Sequence, residues 1–357
     1  MVYLLVFLGG QLKKKDLLKH PIQHLDLNNV NGLDQLLRGF EATSYQSRNL
    51  AKSRIVLENM LKDESTTVFL GIAGAIVPGG LRKVIRDMIK NHMVDVLVST
   101  GANLTHDFIE SMGFRHYIGS AHVDDAVLEE FKIDRIYDTY VDNQEFETVE
   151  LTISKLASEL EPGIYSSREF LAYLGSKIKD PNSILRAAYE EGVPVFCPAL
   201  CDSAIGIGLT HLYSQRDVNG QNPGVFIDQI RDNYEIAQIK LKSEVTGAIY
   251  VGGGVPKNYI QQLEPLLDTM GYKQVDGHKY AVQITTDDPK WGGLSGCTFE
   301  EAQSWGKITK DAQMATVYID STIGLPLIVG AFIQSNKDFV RNRNFSWVGN
   351  KLERIEK

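Results

Sequence analysis

The chain has 357 residues, 43% of them hydrophobic and 23% charged, with a formal net charge of −8. This is the make-up of a globular protein with apolar material for a sizeable core, in a length that suits one large α/β unit. Acidic and basic residues are mixed along the chain, which argues against the basic footprint of a nucleic-acid binder. Three cysteines are too few, and odd in number, for a disulfide framework.

The opening "MVYLLVFLGGQLKKKD" places its short apolar run before its lysines, the reverse of a secretory signal, and is too short to span a bilayer. A cytosolic protein with a helical N-terminal arm over 1–60 is expected. Strand candidates then follow at Thr66–Gly74, Val94–Thr100, Val193–Ala199, Gly247–Gly254, Tyr280–Thr286 and Ala315–Ser321. Most are unbroken apolar runs, as parallel strands covered on both faces require. Amphipathic stretches such as "GGLRKVIRDMIKNH", "NSILRAAYEEG", "PGVFIDQIRDNYEIAQIKLKS" and "KNYIQQLEPLLDTM" lie between them. The rhythm predicts an α/β protein with a doubly wound parallel sheet over 61–340, helical cover at 105–190 and a tail at 341–357.

In such a sheet, ligands bind beyond the carboxyl ends of the strands. Short polar or glycine-rich sequences sit at these ends: "STGAN", "PALCDS", "GGGVPKN", "TTDD" and "DST". Their recurrence points to a nucleotide-sized crevice. "VGGGV" allows close backbone approach to a phosphate or ribose, although neither it nor "GIAGAIVPGGL" has the G-x-G-x-x-G spacing. Asp320 either meets ribose hydroxyls or caps the helix that follows. Cys197 and Cys201, four apart without a histidine pair, read as buried thiols at a strand end and not as a metal site.

"SWGKI" with Lys307, "VGGGVPKNYI", "CPALCDS", "VYIDST", "MVDVLVSTGA" and "FLGIAGAIVPGGLRKVI" together resemble the deoxyhypusine synthase family, from about Thr66 to Ile333. The resemblance implies a Rossmann-like, NAD-dependent transferase acting on spermidine as a homotetramer with shared active sites. The aminobutyl group would be held as an imine on Lys307, which requires a neutral amine; burial against Trp305 or a nearby cation would favour that form. Glu301 matches an acid that meets the polyamine, and Trp305 an aromatic wall. Gly253, Asn258 and His106 fall at substrate positions. Thr100, Gly101, Ala102, Asp202, Thr286, Asp287, Asp320 and Ser321 fall at cofactor positions, as does the stretch Gly74, Ala75, Ile76, Val77 and Pro78. No metal is implied.

The departures gather in the polyamine pocket. Ile207 and Leu294 stand where the protein-modifying members carry acids, Asn258 replaces a histidine, and His106 replaces a glutamate. An unpaired buried cation costs several kcal/mol, so the substrate is bound differently or differs at one end. Asp287 and Asp288 either supply replacement charge or form a solvated turn; His106 is either a pH-sensitive ligand contact or a hydrogen-bonded histidine. The pattern resembles the divergent branch in which a small amine such as putrescine accepts the group, giving homospermidine. The alternatives are a lysine of the hypusine-containing translation factor as acceptor, or a silent NAD-binding regulatory paralogue.

Overall fold

The computed structural model describes residues 14–215 and 224–356. The first 13 residues of the expected arm, and Pro223 at the head of one expected helix, lie outside the described residues. Six strands make one parallel sheet: β1 Thr66–Ile72, β2 Val96–Ser99, β3 Val195–Phe196, β4 Val245–Val251, β5 His278–Thr285 and β6 Ile308–Tyr318. All six were expected from the apolar runs.

The cause of those runs is visible in the packing. Successive strand residues point to opposite faces. Val68, Leu70 and Ile72 of β1 enter one core, with Leu97, Ile249, Val282 and Ile284. Phe69 enters another, with Val96, Val98, Ala248, Tyr250 and Ala281. Helices Leu33–Phe40, Tyr45–Lys62, Arg82–Lys90 and Ser321–Ser335 cover the first face. Helices Gln229–Lys242, Gly254–Gln261 and Phe299–Ser304 cover the second. Both faces are buried, so no alternation with polar residues is needed.

The order across the sheet is β6-β5-β4-β1-β2-β3. The chain winds outward from β1, then returns to β4 and winds the other way. The turns after β1 and β4 therefore part company beside each other and leave a crevice, where doubly wound sheets bind ligands.

Two expectations are corrected. Residues 105–190 are not wholly helical: Tyr117–Ile118, Ile133–Ile136 and Thr139–Asp142 form a small antiparallel sheet. Gly163–Tyr165 pairs with Val225–Ile227, a strand inside a segment read as helix. These strands are short and mostly half-buried, so no apolar period marks them. The chain's end is also ordered: Asn344–Val348 and Lys351–Glu356 make a hairpin against helix Gln229–Lys242, with Arg168 stacked 4.1 Å over Trp347. Just before it, the buried Arg341 reaches back to Asp95 and to the carbonyl of Thr66, at the roots of β2 and β1. Among the described residues, no helix is long and apolar enough to cross a membrane.

Candidate active site

The crevice between the β1 and β4 turns opens as a cavity of about 700 Å³. Its walls come from four strand ends, Gly74 and Ala75 after β1, Thr100, Gly101 and Ala102 after β2, Asp202 after β3, and Val255 and Pro256 after β4, and from Arg135, Ile136 and Tyr137 at the turn of the small antiparallel sheet. His106, one turn into helix Gly101–Ser111, also faces it. The first-turn N–H groups of that helix have no intrahelical acceptor, and such a terminus suits an anionic group. Gly74 has φ 69°, with nothing within 4 Å of an added Cβ, so the backbone there is open to a ligand.

The next three residues of that stretch behave differently. Ile76, Val77 and Pro78 are buried, and the N–H groups of Ile76 and Val77 donate to Asn103 Oδ1 at 3.2 and 3.3 Å. They brace the turn and have no donor to spare. Thr286, Asp287, Asp320 and Ser321 follow β5 and β6, beyond β4, and do not line this cavity. Asp320 takes the capping role, accepting from Thr322 N at 2.8 Å. Asp288 closes a surface turn through Lys290, while Asp287 is exposed. Of the two cysteines read as buried thiols, Cys197 is buried, which pushes its thiol up to about 12, but Cys201 is exposed because it lies past the strand, on the loop.

A second group forms on the face covered by helices Gly254–Gln261 and Phe299–Ser304. Thr298 caps the latter helix, and Trp305 ends it. Gly306, at φ 75°, makes the left-handed turn that sends the chain into β6. Lys307 then stands at the head of β6 with its N–H on Ala302 O at 3.1 Å and its carbonyl accepting from His278 N at 3.0 Å. Gly277 packs against this junction so closely that a Cβ would lie 2.5 Å from Gly306 O and 2.7 Å from Lys307 C. The lysine base is thus clamped while its amine projects, 5.3 Å from the Trp305 ring. Trp305 is 65% exposed, so within one chain its indole is an open wall and not the enclosing one expected from the sequence. Glu301 lies on the same helix, exposed.

Sequence reasoning missed Lys257. It is buried beneath this group, donating to Gln283 Oε1 at 2.8 Å and Cys297 O at 2.5 Å. Burial pushes its ammonium down to about 8, Cys297 and Glu301 oppose this, and Lys307 reinforces it. A lysine in "GGGVPKN" offers no signal of this by itself. A folded-state value below the ordinary 10.5 means that, between about pH 8 and 10.5, the unfolded chain binds more protons than the folded one, so stability rises with pH there. Lys257→Met should remove that contribution. Comparing denaturation from pH 8 to 10, the parent should gain on the variant by up to about 1.4 kcal/mol per pH unit. Parallel curves would show that Lys257 is solvated.

Gly253 sits between the two groups. A Cβ there would fall 2.5 Å from Ser295 Cα, so the loop before helix Phe299–Ser304 rests directly on its backbone. Asn258, on the next turn, is half-buried. Among the described residues, Lys307, Trp305 and Glu301 do not line the cavity.

The family model for deoxyhypusine synthase matches residues 35–332. The chain belongs to the deoxyhypusine synthase family. It is 46% identical over 326 residues to "Probable deoxyhypusine synthase 2" of Methanosarcina acetivorans, covering 90% of this chain and 92% of that one. To the "Deoxyhypusine synthase-like protein" of Chlorobaculum tepidum it is 42% identical over 342 residues, covering 94% and 96%. The crystal structure of a "putative deoxyhypusine synthase" from Entamoeba histolytica superposes with a TM-score of 0.60 at 18% identity, over 92% of this chain and all of that one, and shares the fold. Within this family member, Ile207 and Leu294 are 52% and 45% exposed, so neither buries a cation inside a single chain.

Proposed function

We propose that the chain transfers an aminobutyl group from spermidine, through an imine on Lys307, to a small diamine such as putrescine. The observation that carries this is the clamped Lys307 in a family member, its amine beside Trp305, with Glu301 and a second, buried lysine close by. Lys307 acts as the nucleophile, Glu301 pairs with an ammonium group of the polyamine, and Trp305 offers it a ring face. Asn258 and the backbone near Gly253 complete the substrate side.

The cavity suits a nicotinamide dinucleotide, because it combines about 700 Å³ of space, a helix N-terminus and an acid. Gly74, Ala75, Thr100, Gly101, Ala102 and Asp202 would hold it. Bound there, it supplies hydride acceptance and return. Thr286, Asp287, Asp320 and Ser321 would make the remaining contacts from a neighbouring copy, across an interface. The separation of the two groups and the exposed Trp305, Ile207 and Leu294 support an assembly of four chains with shared sites.

Apolar Ile207 and Leu294 favour a small acceptor over a charged protein surface. The names of the relatives support a second reading, in which a lysine of the hypusine-containing translation factor accepts the group. Labelled spermidine, NAD and each acceptor in turn decide between them: homospermidine by mass spectrometry in the first case, labelled protein in the second. Release of neither product, with no borohydride-trapped adduct on Lys307, would leave a silent NAD-binding protein.

A further inference from the structure

The wall of the cavity made by His106 carries a hydrogen-bonded chain that runs away from it. His106 Nδ1 lies 2.9 Å from His116 Nε2, and His116 Nδ1 lies 2.9 Å from Glu110 Oε1. An ionised carboxylate only accepts, so the neutral form of His116 holds its proton on Nδ1 and presents a lone pair at Nε2. His106 must then donate from Nδ1, which leaves its Nε2 a bare acceptor. No described residue hydrogen-bonds that atom, and it is not among the fully buried unpartnered atoms, so it opens on the cavity that His106 lines.

The chain is rigidly mounted. Asp107, next to His106, accepts from Arg82 Nε at 2.7 Å, Ser183 Oγ at 2.7 Å and two N–H groups of helix Ile184–Glu190. Arg82 also reaches Glu110, at 3.4 Å. The Phe146 ring meets His106 edge-on at 5.7 Å. The other charged groups around the pair are Arg115 and Glu145, with Arg135 and Asp202 on the cavity walls. Burial and the neighbouring His116 push His106 down to about 4, against Glu110, so the ring is neutral at pH 7.

We propose that His106 Nε2 accepts the N–H of the amine nitrogen that becomes the imine, with His116 and Glu110 as positioning residues that polarise the ring. This rests on the aminobutyl-transfer reading. As the α-carbon hydrogen leaves as hydride to a nicotinamide-type acceptor, the nitrogen lone pair forms the C=N bond and the nitrogen gains positive charge. Its N–H proton stays in place and becomes a stronger donor. A neutral acceptor backed by a carboxylate therefore gains more from the iminium than from the amine. A carboxylate in direct contact would instead favour the ammonium form, which has no lone pair to release.

Imidazole nitrogen NMR of histidine-labelled, cofactor-free protein, recorded at alkaline pH, should find both rings protonated on Nδ1, and the His106 Nε2 signal should move when spermidine is added. Glu110→Gln keeps an acceptor for His116 but loses the charge. It should slow hydride transfer about tenfold with little change in KM, and His106→Phe about a hundredfold. His106→Gln, a neutral acceptor, should recover part of that loss. His106→Glu should bind spermidine more tightly yet react more slowly, with its pH optimum moved upward. Protonated Nε2, a signal indifferent to spermidine, or parental rates in Glu110→Gln and His106→Phe with an active parent would overturn this inference alone. A parent that releases no 1,3-diaminopropane while still showing the shift would overturn the transfer reading instead.

Discussion

Alanine in place of Lys307 is expected to lower aminobutyl transfer on the order of 10³-fold or more, because the nearby amine of Lys257 is held on Gln283 and Cys297 and is not placed to take over the imine. The fold should survive. The main-chain bonds of Lys307 to Ala302 and His278 do not involve its side chain, and the amine lies against the Trp305 ring. Lys307→Arg should fail equally: it restores the positive charge but not the nucleophile, since a guanidinium stays protonated. Measuring both variants separates a chemical role from an electrostatic one. Borohydride reduction in the presence of spermidine and NAD should attach the four-carbon amine to Lys307 in the parent and leave both variants unmodified. Substantial turnover in either variant would reduce Lys307 to a strand-head residue and move the chemistry elsewhere.

The central sheet was legible in the sequence because strands buried on both faces need no polar alternation. The run from Val68 to Ile72 serves two cores at once and reads as one apolar block. The crevice was legible for a related reason: the ends of β1 to β4 must leave the sheet in small or polar turns. What no local pattern carries is which of those turns meet. The "TTDD" and "DST" ends resemble the others in composition, yet β5 and β6 lie beyond β4, and strand order decides this. Ile76 and Val77 sit in a plausible anion-binding turn, but Asn103 from the next unit consumes their N–H groups. Lys257 is a buried cation only because Gln283 and Cys297, 26 and 40 residues away, supply its acceptors. His106 pairs with His116, ten residues along, across an irregular stretch with no period to reveal it.

Arg341 offers the largest expected change in stability. It lies outside every apolar pattern, in a segment that composition reads as a tail, and it is buried against Asp95 with both carboxylate oxygens in contact. Burial raises the Asp95 carboxyl and Arg341 counters that, so the pair holds only while both partners are present. Arg341→Ala would strand a carboxylate that also accepts from Val68 N at 2.7 Å, inside the root of the sheet. Breaking such a pair costs about 3–5 kcal/mol, a large share of the stability of most domains. The double change Asp95→Asn with Arg341→Met should recover most of this loss, because the amide still accepts from Val68 and the two paired charges leave together. Chemical denaturation of the three proteins gives the answer directly. A single variant within about 1 kcal/mol of the parent would mean that water reaches Asp95, and that the chain's end is an ornament on the sheet and not a bolt through its first two strands.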